Sequence, residues 1–226
     1  MITKDVLIIY FSYSGQTRKL IQAFAKGLEE HSVKVQWVQL KPQKKIQFPL
    51  PSASAALKMM VETFFRKRVA IEPLVCGDVA QYDLIIVAGP TWSYNASGPI
   101  MSFFDSYSTI LAGKKVLPII SCRGYWRSHY WQLRYLLKSC RATPLKPLVF
   151  LHPGAEPWRT IGVFLKLAGK MPEAGNSWLS RFYRKYGHQR EQIDYAELLG
   201  SQTAEALHED RLKQRDRVIV VKKVNV

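Results

Sequence analysis

The first regular pattern in the chain is Val6-Leu7-Ile8-Ile9-Tyr10-Phe11-Ser12-Tyr13-Ser14-Gly15-Gln16-Thr17, and the architecture follows from it. Its first half is a continuous apolar run rich in β-branched and aromatic residues. Such a run predicts a strand buried on both faces, as in a parallel sheet. Its second half is a polar turn, after which Leu20, Ile21, Phe24 and Leu28 recur at helical spacing. A strand is therefore expected to pass through a hydroxyl-rich turn directly into a helix.

The same alternation of strand and helix continues along the chain. Further strands are predicted at Val33–Val38, Asp83–Gly89, Lys115–Ile120 and Leu148–Leu151, and further helices at Ala53–Val69, Pro99–Leu111, Tyr130–Ser139 and Ile193–Gln214. Pro118 argues against the prediction of the fourth strand, because proline has no N–H to donate in a hydrogen bond to a neighbouring strand. Five strands alternating with helices predict the α/β class, with a doubly wound five-stranded parallel sheet and helices on both faces.

One irregularity interrupts this order. We expect a single domain over residues 1–226, with a basic, aromatic insertion at 153–190 between the fifth strand and the last helix, and a tail at 215–226. The insertion fits three interpretations: a lid over the site, a contact in a homodimer, or an amphipathic cationic segment at 158–186 that lies in a membrane interface. The residues from Val218 onward are strand-like, and the alternative is a loose tail.

The charge is strongly positive and unevenly distributed. The chain of 226 residues carries a net charge of +16, of which +4 falls on residues 1–113 and +12 on residues 114–226. Such a field attracts anions, including phosphorylated cofactors, anionic lipid and nucleic acid. The alternative is a basic surface without a dedicated partner. Apolar residues at 47% and charged residues at 22% are typical of a globular chain.

Cysteines, histidines and apolar runs limit the compartment and the chemistry. Cys76, Cys122 and Cys140 form no CxxC pair, which favours free thiols in a reducing cytoplasm. The start of the chain lacks the pattern of a signal peptide, and no run reaches the ~20 apolar residues of a spanning helix. The five histidines have no metal-ligand spacing, so no metal site is expected. We expect a cytoplasmic protein, with peripheral membrane association as the alternative.

Three loops follow the strands at the edge where open α/β sheets bind ligands. The first, Ser12–Thr17, can bind a phosphate through main-chain amides at the helix N-terminus, and Gly15 permits close approach. It matches neither GxxxxGK(S/T) nor GxGxxG, which excludes the usual nucleotide triphosphatase loop. The alternative is a helix start capped by hydroxyls.

The other two loops are rich in aromatic residues. In Gly89–Pro99, Trp92 and Tyr94 can form a wall for a planar ring, and main-chain groups of residues 91–95 can bond its polar edge. The alternative is an aromatic turn that packs on the domain. In the third loop, Ser121–Trp126, Arg123 can meet an anionic ring edge or a cofactor phosphate, or it can stack on Trp126 in solvent.

These loops carry a resemblance to a known family. The sequence Tyr10–Thr17 resembles the FMN-phosphate loop of flavodoxins, usually written T/S-x-T/S-G-x-T. The stretch from Gly89-Pro90-Thr91-Trp92 to Gly98-Pro99, followed by Phe103-Phe104-Asp105, resembles the isoalloxazine loop and following helix of the flavodoxin-like NAD(P)H-dependent FMN and quinone reductases. The resemblance covers about residues 5–152 and the closing helix, and it implies a flavodoxin-like fold with bound FMN.

Carried over residue by residue, the resemblance assigns three groups of cofactor-binding residues. They are Ser12, Ser14, Gly15, Gln16 and Thr17 at the phosphate; Pro90, Thr91, Trp92, Ser93, Tyr94 and Asn95 along the ring; and Ser121, Cys122, Arg123, Gly124 and Tyr125 at its other edge. The sequence departs from the family pattern at Ser93-Tyr94-Asn95, where relatives often carry glycine, and at Ser102, where many carry lysine. No residue stands out as a catalytic acid or base.

The resemblance and the charge together favour one function over two others. Flavodoxins that transfer single electrons are typically acidic, whereas a cationic surround favours an anionic, two-electron-reduced flavin and attracts the NADPH phosphate. We therefore predict NAD(P)H-dependent reduction of a quinone or similar small-molecule acceptor. The alternative is a non-catalytic electron carrier that serves a redox partner protein. A basic module for nucleic acid or anionic membrane is third, since no nucleic-acid motif is present.

Overall fold

The structure is a computed structural model, and it describes residues 3–75, 77–152, 161, 165, 187–212 and 218–222. The predictions made for the insertion at 153–190, including the membrane contact at 158–186 and the homodimer contact, fall almost entirely outside the described residues. Cys76 also lies outside them.

A parallel sheet organises the chain. Its strands are β1 (Lys4–Tyr10), β2 (Val33–Gln39), β3 (Leu84–Trp92), β4 (Asn95–Ala96), β5 (Lys115–Cys122), β6 (Thr143–Pro144), β7 (Leu148–Leu151) and β8 (Ile219–Val221). The order is β2-β1-β3-β5-β7-β8, and every pairing along this path is parallel. The short β4 pairs with β3 antiparallel, and β6 pairs with β5. This order confirms the doubly wound α/β fold, with its switch point between β1 and β3.

Helices cover both faces of the sheet. They are α1 (Gln16–Glu29), α2 (Ala53–Phe64), α3 (Gly98–Tyr107), α4 (Trp126–Ser139) and α5 (Arg190–His208), with 3-10 turns at Val79–Gln81 and Ser108–Leu111. Val6 and Ile8 of β1 face a core shared with α1 and α5. Leu7 and Ile9 face a second core shared with α3 and α4. Alternate residues of one strand therefore fill opposite cores, which is why its apolar run has no polar interruption.

The tail supplies an additional strand. Residues 219–221 pair in parallel with β7, so part of the predicted tail extends the sheet beyond the five predicted strands. Two factors explain this. The residues Ile219, Val220 and Val221 are β-branched, and the Gln192 amide of α5 donates to the carbonyl oxygens of both Leu151 and Val221.

Pro118 is tolerated inside β5 because of where its missing N–H falls. The Val116 carbonyl accepts from the Leu145 amide, so the even-numbered backbone groups of β5 face β6 and β7. Pairing with β6 ends at Pro144, and pairing with β7 begins at Leu148. Pro118 lies opposite the gap between them, so its missing donor leaves no ladder acceptor unpaired.

The helix predicted for residues 53–69 ends earlier, at Phe64. Arg66 has a positive φ of 59°, the Arg66 amide donates to the Thr63 carbonyl, and the Lys67 amide donates to the Glu62 carbonyl. This pair of hydrogen bonds is the Schellman ending of a helix. The left-handed position of this motif usually holds glycine. Because Arg66 occupies it here, the sequence carried no sign that α2 ends at Phe64. Within the described part of the chain, no helix combines the length and apolar character needed to cross a membrane.

Candidate functional site

A cleft opens at the carboxyl ends of β1, β3 and β5, on both sides of the switch point. The empty space within it, including the part that is open to solvent at its mouth, is about 720 Å³. Ten of the predicted site residues line it, together with Tyr13 and His152; the ten are Ser14, Gln16, Thr17, Pro90, Thr91, Trp92, Ser93, Ser121, Cys122 and Arg123. Helix α2 contributes Met59, Met60 and Thr63 to the opposite wall.

The first loop delivers the N-terminus of α1 to the cleft. Gly15 is the N-cap of α1 and has a φ of +80°, a left-handed conformation that glycine adopts without strain. The Ser12 hydroxyl accepts from the Arg18 amide at 3.2 Å, so Ser12 serves to cap the helix. Ser14, Gln16 and Thr17 line the cleft, whereas Ser12 and Gly15 shape the turn behind it. The first turn of α1 has no acidic residue, which leaves its positive end available to an anion.

Gln16 is held by the segment that enters α5. Its side-chain oxygen accepts from the His188 amide at 3.0 Å. Gly187 has a φ of +110°, and a Cβ at this position would lie 2.5 Å from the same oxygen of Gln16. The backbone conformation requires glycine at 187, and a Cβ there would also force the end of the Gln16 side chain to move. The turn at the start of α1 is thus fixed in part by a residue far along the chain.

The second loop is a tight hairpin clamped to α2. Trp92 pairs with Asn95, and the two residues between them, Ser93 and Tyr94, have φ values of 40° and 72°. Consecutive positive φ values are the requirement of a two-residue type I′ turn, which usually holds Asn-Gly. Since neither residue is glycine, the surrounding contacts must hold the turn in place. This explains how the chain does without the glycine that the family pattern leads one to expect.

Asn95 supplies most of that clamp. It is buried, and its amide nitrogen donates to the carbonyl oxygens of Thr63, Phe64 and Ser93 at 3.0–3.1 Å. Its side-chain oxygen accepts from the Arg66 guanidinium at 3.2 Å. The predicted role of Asn95 at a ring edge therefore competes with a structural role, because all of these groups belong to α2, its end or the hairpin.

Trp92 and Tyr94, predicted to flank one ring, lie in different places. Trp92 lines the cleft and meets Tyr13 and Phe11 edge-to-face, with centroid distances of 5.5 and 5.4 Å. Tyr94 lies instead on the wall of an adjacent apolar groove, about 990 Å³ including its open side. The groove is lined by Leu57, Met60, Val61, Phe64, Phe65, Thr91, Ser93, Tyr94, Arg123, Gly124 and Tyr125. Four residues, Met60, Thr91, Ser93 and Arg123, line both the groove and the cleft, so the two spaces adjoin.

The third loop is divided between the same two spaces. Ser121, Cys122 and Arg123 line the cleft, whereas Gly124 and Tyr125 line the groove, with Arg123 bordering both. The ring of Tyr125 lies 4.5 Å from that of Tyr94, centroid to centroid. Arg123 is thus the cation placed where the polar cleft gives way to the apolar groove.

A half-buried histidine, His188, sets the hydrogen-bonding role of Ser121. The Gln192 side-chain nitrogen donates both of its hydrogens to carbonyl oxygens, so Gln192 meets His188 through its oxygen. That oxygen is an acceptor, and His188 Nδ1 lies 3.4 Å from it. Nδ1 therefore carries the proton, and His188 Nε2 accepts from the Ser121 hydroxyl at 2.8 Å. The oxygen of Ser121 is left as an acceptor at the cleft. Burial lowers the pKa of His188 to about 4, so the ring is neutral at physiological pH.

A fully buried histidine, His129, supports Thr91. The Thr91 hydroxyl and His129 Nδ1 share a hydrogen bond of 2.8 Å, and His129 is only 1% exposed. Burial lowers the pKa of His129 to about 3 and keeps the imidazole neutral. The hydroxyl-bearing residues near the carboxyl ends of β3 and β5 are therefore each held by an uncharged histidine.

Sequence reasoning missed several of these residues. His129 and His188 were set aside because they lack metal-ligand spacing, and their roles depend on contacts with distant strands. Met59, Met60 and Thr63 carried no signal, since α2 was recognised only as a helix. His152 directly follows the fifth strand, and it lines the cleft with its ring 4.4 Å from that of His188. Among the described residues, no group of three or more metal-ligating side chains could hold a metal ion.

Comparison with known families gives a match over most of the chain. The model of a family described as NADPH-dependent FMN reductase matches residues 5–156, which includes all three loops at the cleft. No curated protein matched the sequence.

Solved structures share the fold at low sequence identity. A flavodoxin from the domain Archaea superimposes with a TM-score of 0.53 at 16% identity, covering 90% of this chain and 99% of its own. A protein from Bacteroides uniformis described as a flavoprotein gives a TM-score of 0.52 at 23% identity, over 66% of this chain and 92% of its own. A similarly described protein from Bacteroides eggerthii gives 0.52 at 18% identity, over 65% and 88%. These likenesses support the flavodoxin-like fold.

Proposed function

This chain belongs to the NADPH-dependent FMN reductase family, and from that premise we propose that it is a flavin-dependent oxidoreductase. In this proposal it binds FMN in the cleft and uses NAD(P)H to reduce a quinone or similar acceptor by two electrons. The main observation in support of this proposal is the cleft itself. It lies at the switch point of the sheet, with a helix N-terminus at one end and an aromatic wall beside it.

The phosphate end of FMN fits the start of α1. The left-handed Gly15 directs the chain into the helix, and its Cβ position meets no atom within 4 Å. Ser14 and Thr17 line the adjacent cleft and can add hydroxyl donors to the main-chain amides. Gln16 would act mainly as a brace, since its oxygen already accepts from the His188 amide.

The ring end fits the walls formed by the second and third loops. Tyr13 and Trp92 supply apolar and aromatic surface, and the neutral pairs Thr91–His129 and Ser121–His188 supply uncharged hydrogen-bonding groups. Bound FMN would supply the transfer of a hydride equivalent. The protein's contribution is to hold the ring, exclude water from its buried face and set its electrostatic surroundings.

The charge of the site favours two-electron chemistry and a phosphorylated donor. Arg123 lines the cleft, and residues 106–155 contain eight basic side chains and no acidic one. A cationic surround stabilises a reduced flavin that carries a negative charge, and it attracts the phosphates of NADPH. The apolar groove beside the cleft supports the choice of acceptor. A lipophilic quinone can occupy the groove next to Met60 and Thr91, which also line the cleft.

The first test is a spectrum and a turnover assay with the purified full chain. After incubation with excess FMN and removal of unbound cofactor, we expect flavin absorption bands at close to one FMN per chain. NADPH should then bleach these bands without oxygen, and a soluble naphthoquinone should restore them over many cycles. Absence of flavin bands would overturn the proposal. Bands that dithionite bleaches but NADPH does not would favour an electron carrier instead.

A further inference from the structure

A continuous band of exposed aromatic side chains runs beside the cleft. It consists of Phe64, Phe65, Tyr94, Tyr125, Trp131 and Tyr135, and we call these six residues the aromatic band. Phe65 is 76% exposed, Trp131 77% and Tyr135 72%. A soluble surface does not usually expose so many large aromatic side chains in one region, because each one costs hydration free energy.

Direct contacts join the α2 end of the band to the start of α4. The rings of Phe64 and Phe65 lie 5.4 Å apart, Phe64 and Tyr94 6.5 Å, and Tyr94 and Tyr125 4.5 Å, centroid to centroid. Tyr125 is the N-cap of α4. This part of the band is therefore a single surface that spans two elements far apart in sequence.

The band continues along one side of α4. The Ser128 hydroxyl in its first turn donates to the Tyr94 carbonyl at 2.8 Å, so this side of the helix adjoins the hairpin. Trp131 and Tyr135 follow Ser128 at spacings of three and four residues, which places all three on one face of the helix. The exposed rings of α4 thus extend the surface that begins at Phe65.

The charge on the α4 part of the band is entirely positive. Helix α4 carries Arg127, Arg134 and Lys138 and no acidic residue, and it lies within the acid-free stretch 106–155. These three cations are exposed, and their positions lie along the flank of the Trp131–Tyr135 face. Exposed aromatic side chains beside cations are the combination that inserts rings at the level of lipid headgroups and attracts anionic lipid.

Aliphatic residues distinguish a bilayer from other anionic partners. Leu57 and Val61 of α2 lie exposed in the groove beside Phe64 and Phe65. Aromatic rings with cations could also stack on the bases of single-stranded nucleic acid. Contact with bases or phosphates does not stabilise exposed leucine and valine side chains, whereas transfer of these side chains into the hydrocarbon of a bilayer is favourable. The combined chemistry therefore favours lipid.

We propose that the aromatic band and the cations of α4 form a docking surface for an anionic lipid bilayer. The groove adjoins the band and shares residues with the cleft, so docking brings the mouth of the cleft to the bilayer surface. This surface consists of described residues, and none of them belongs to the segment 158–186. The inference does not depend on flavin, so protein without FMN is expected to bind lipid as well.

The test is co-sedimentation of the full chain with vesicles of phosphatidylcholine alone or mixed with phosphatidylglycerol, at low ionic strength. We expect binding to the mixed vesicles and little to phosphatidylcholine alone. Arg134→Glu/Lys138→Glu should weaken binding by roughly 30-fold or more, since each removed cation is worth about fivefold. Trp131→Ala/Tyr135→Ala should weaken it without changing the net charge.

Matched controls lie on the opposite side of the sheet and on its edge strand. Leu198→Ala removes an exposed apolar side chain from α5, and Lys19→Glu/Lys34→Glu makes the same change in net charge on α1 and β2. Both should retain nearly normal binding, and circular dichroism should show all variants folded. The proposal is overturned by absence of binding to the mixed vesicles, by equal losses in the control and test variants, or by tighter binding to single-stranded DNA that the band variants abolish.

Discussion

The Thr91 hydroxyl lies 2.8 Å from Nδ1 of the buried His129, at the junction of the cleft and the groove. Thr91 belongs to β3 and His129 to α4, so the bond connects the strand at the switch point with the helix that carries part of the aromatic band. Because His129 is neutral and nearly inaccessible to water, its Nδ1 has no ready substitute for the Thr91 hydroxyl. The hydrogen bond therefore holds the Thr91 side chain in a defined position at the site.

A double-mutant cycle should measure this bond. Thr91→Val leaves the imidazole without its partner, and His129→Leu leaves the hydroxyl without its partner. Each single substitution should lower the free energy of unfolding by about 1–3 kcal/mol, the cost of an unsatisfied buried polar group. The double variant should lose less than the sum of the two, as measured by urea denaturation. Strict additivity would mean that the bond contributes nothing to stability.

Stability should fall as the solution is acidified from pH 6.5 towards pH 4. Burial lowers the pKa of His129 to about 3 and that of His188 to about 4, from an ordinary value of 6.5. Between these values the unfolded chain binds protons that the folded chain does not, so the stabilisation is complete above pH 6.5 and is lost below it. The slope contributed by each histidine approaches about 1.4 kcal/mol per pH unit.

Substitution can isolate that slope from the titration of carboxylates. Denaturant unfolding across this pH range should be less steep for His129→Asn and for His188→Gln than for the wild type. His208→Gln is the control, because His208 is exposed and bonds only the His31 carbonyl. If the three variants and the wild type all gave the same slope, His129 and His188 would not be responsible for acid sensitivity.

The contrast between Ser12–Thr17 and the two histidines shows what could be predicted from sequence. The strand, turn and helix around Gly15 form a local pattern, so their place in the fold and at the cleft follows from neighbouring residues. His129 and His188 act on residues 38 and 67 positions away, through pairings that exist only after the sheet has formed. Spacing along the chain carries no trace of such contacts.

Two further predictions, for the end of α2 and for the position of Tyr94, differ from the structure because of the local backbone conformation. Arg66 occupies a left-handed position that glycine would have marked, so the end of α2 was predicted too late. Tyr94 was expected beside Trp92, since they are neighbours in sequence. The turn at Ser93-Tyr94 reverses the chain between them and directs the two rings into different spaces.

Gly187→Ala should damage the start of α1 from a distance. An alanine there would adopt an unfavourable φ of +110°, and its Cβ would collide with Gln16, whose oxygen accepts from the His188 amide. We expect a loss of about 1–3 kcal/mol in the free energy of unfolding from strain and overpacking, and weaker FMN binding, measured by fluorescence titration of the cofactor.

Gly113→Ala is the matched control for backbone strain. Gly113 has a φ of +73°, but a Cβ there would meet no atom within 4 Å. This variant should lose some stability and keep its FMN affinity. Gln16→Ala in combination with Gly187→Ala should relieve the collision and recover part of the stability. Equal FMN affinity in the Gly187 and Gly113 variants would mean that the contact with Gln16 does not shape the phosphate end of the cleft.

Asn95→Asp should release the hairpin from α2. The Asn95 amide nitrogen donates to three carbonyl oxygens, and replacing it with an acceptor leaves all three facing a carboxyl group. The nearby Arg66 can pair with only one side of that group. Burying an acceptor against acceptors costs several kcal/mol, so we expect a loss of about 3 kcal/mol or more in the free energy of unfolding. Asn95→Ala, which removes the donor without adding an acceptor, should cost less.

The consequence for the site separates this prediction from general destabilisation. Ser93 and Tyr94 hold positive φ values in a turn without glycine, so loss of the clamp should let the turn relax and move Tyr94 away from Tyr125. Hydrogen exchange should then increase at residues 91–97 and at the end of α2, while α1 and α5 stay protected. Uniformly faster exchange over the whole chain would instead show that Asn95 stabilises the fold without governing the shape of the groove.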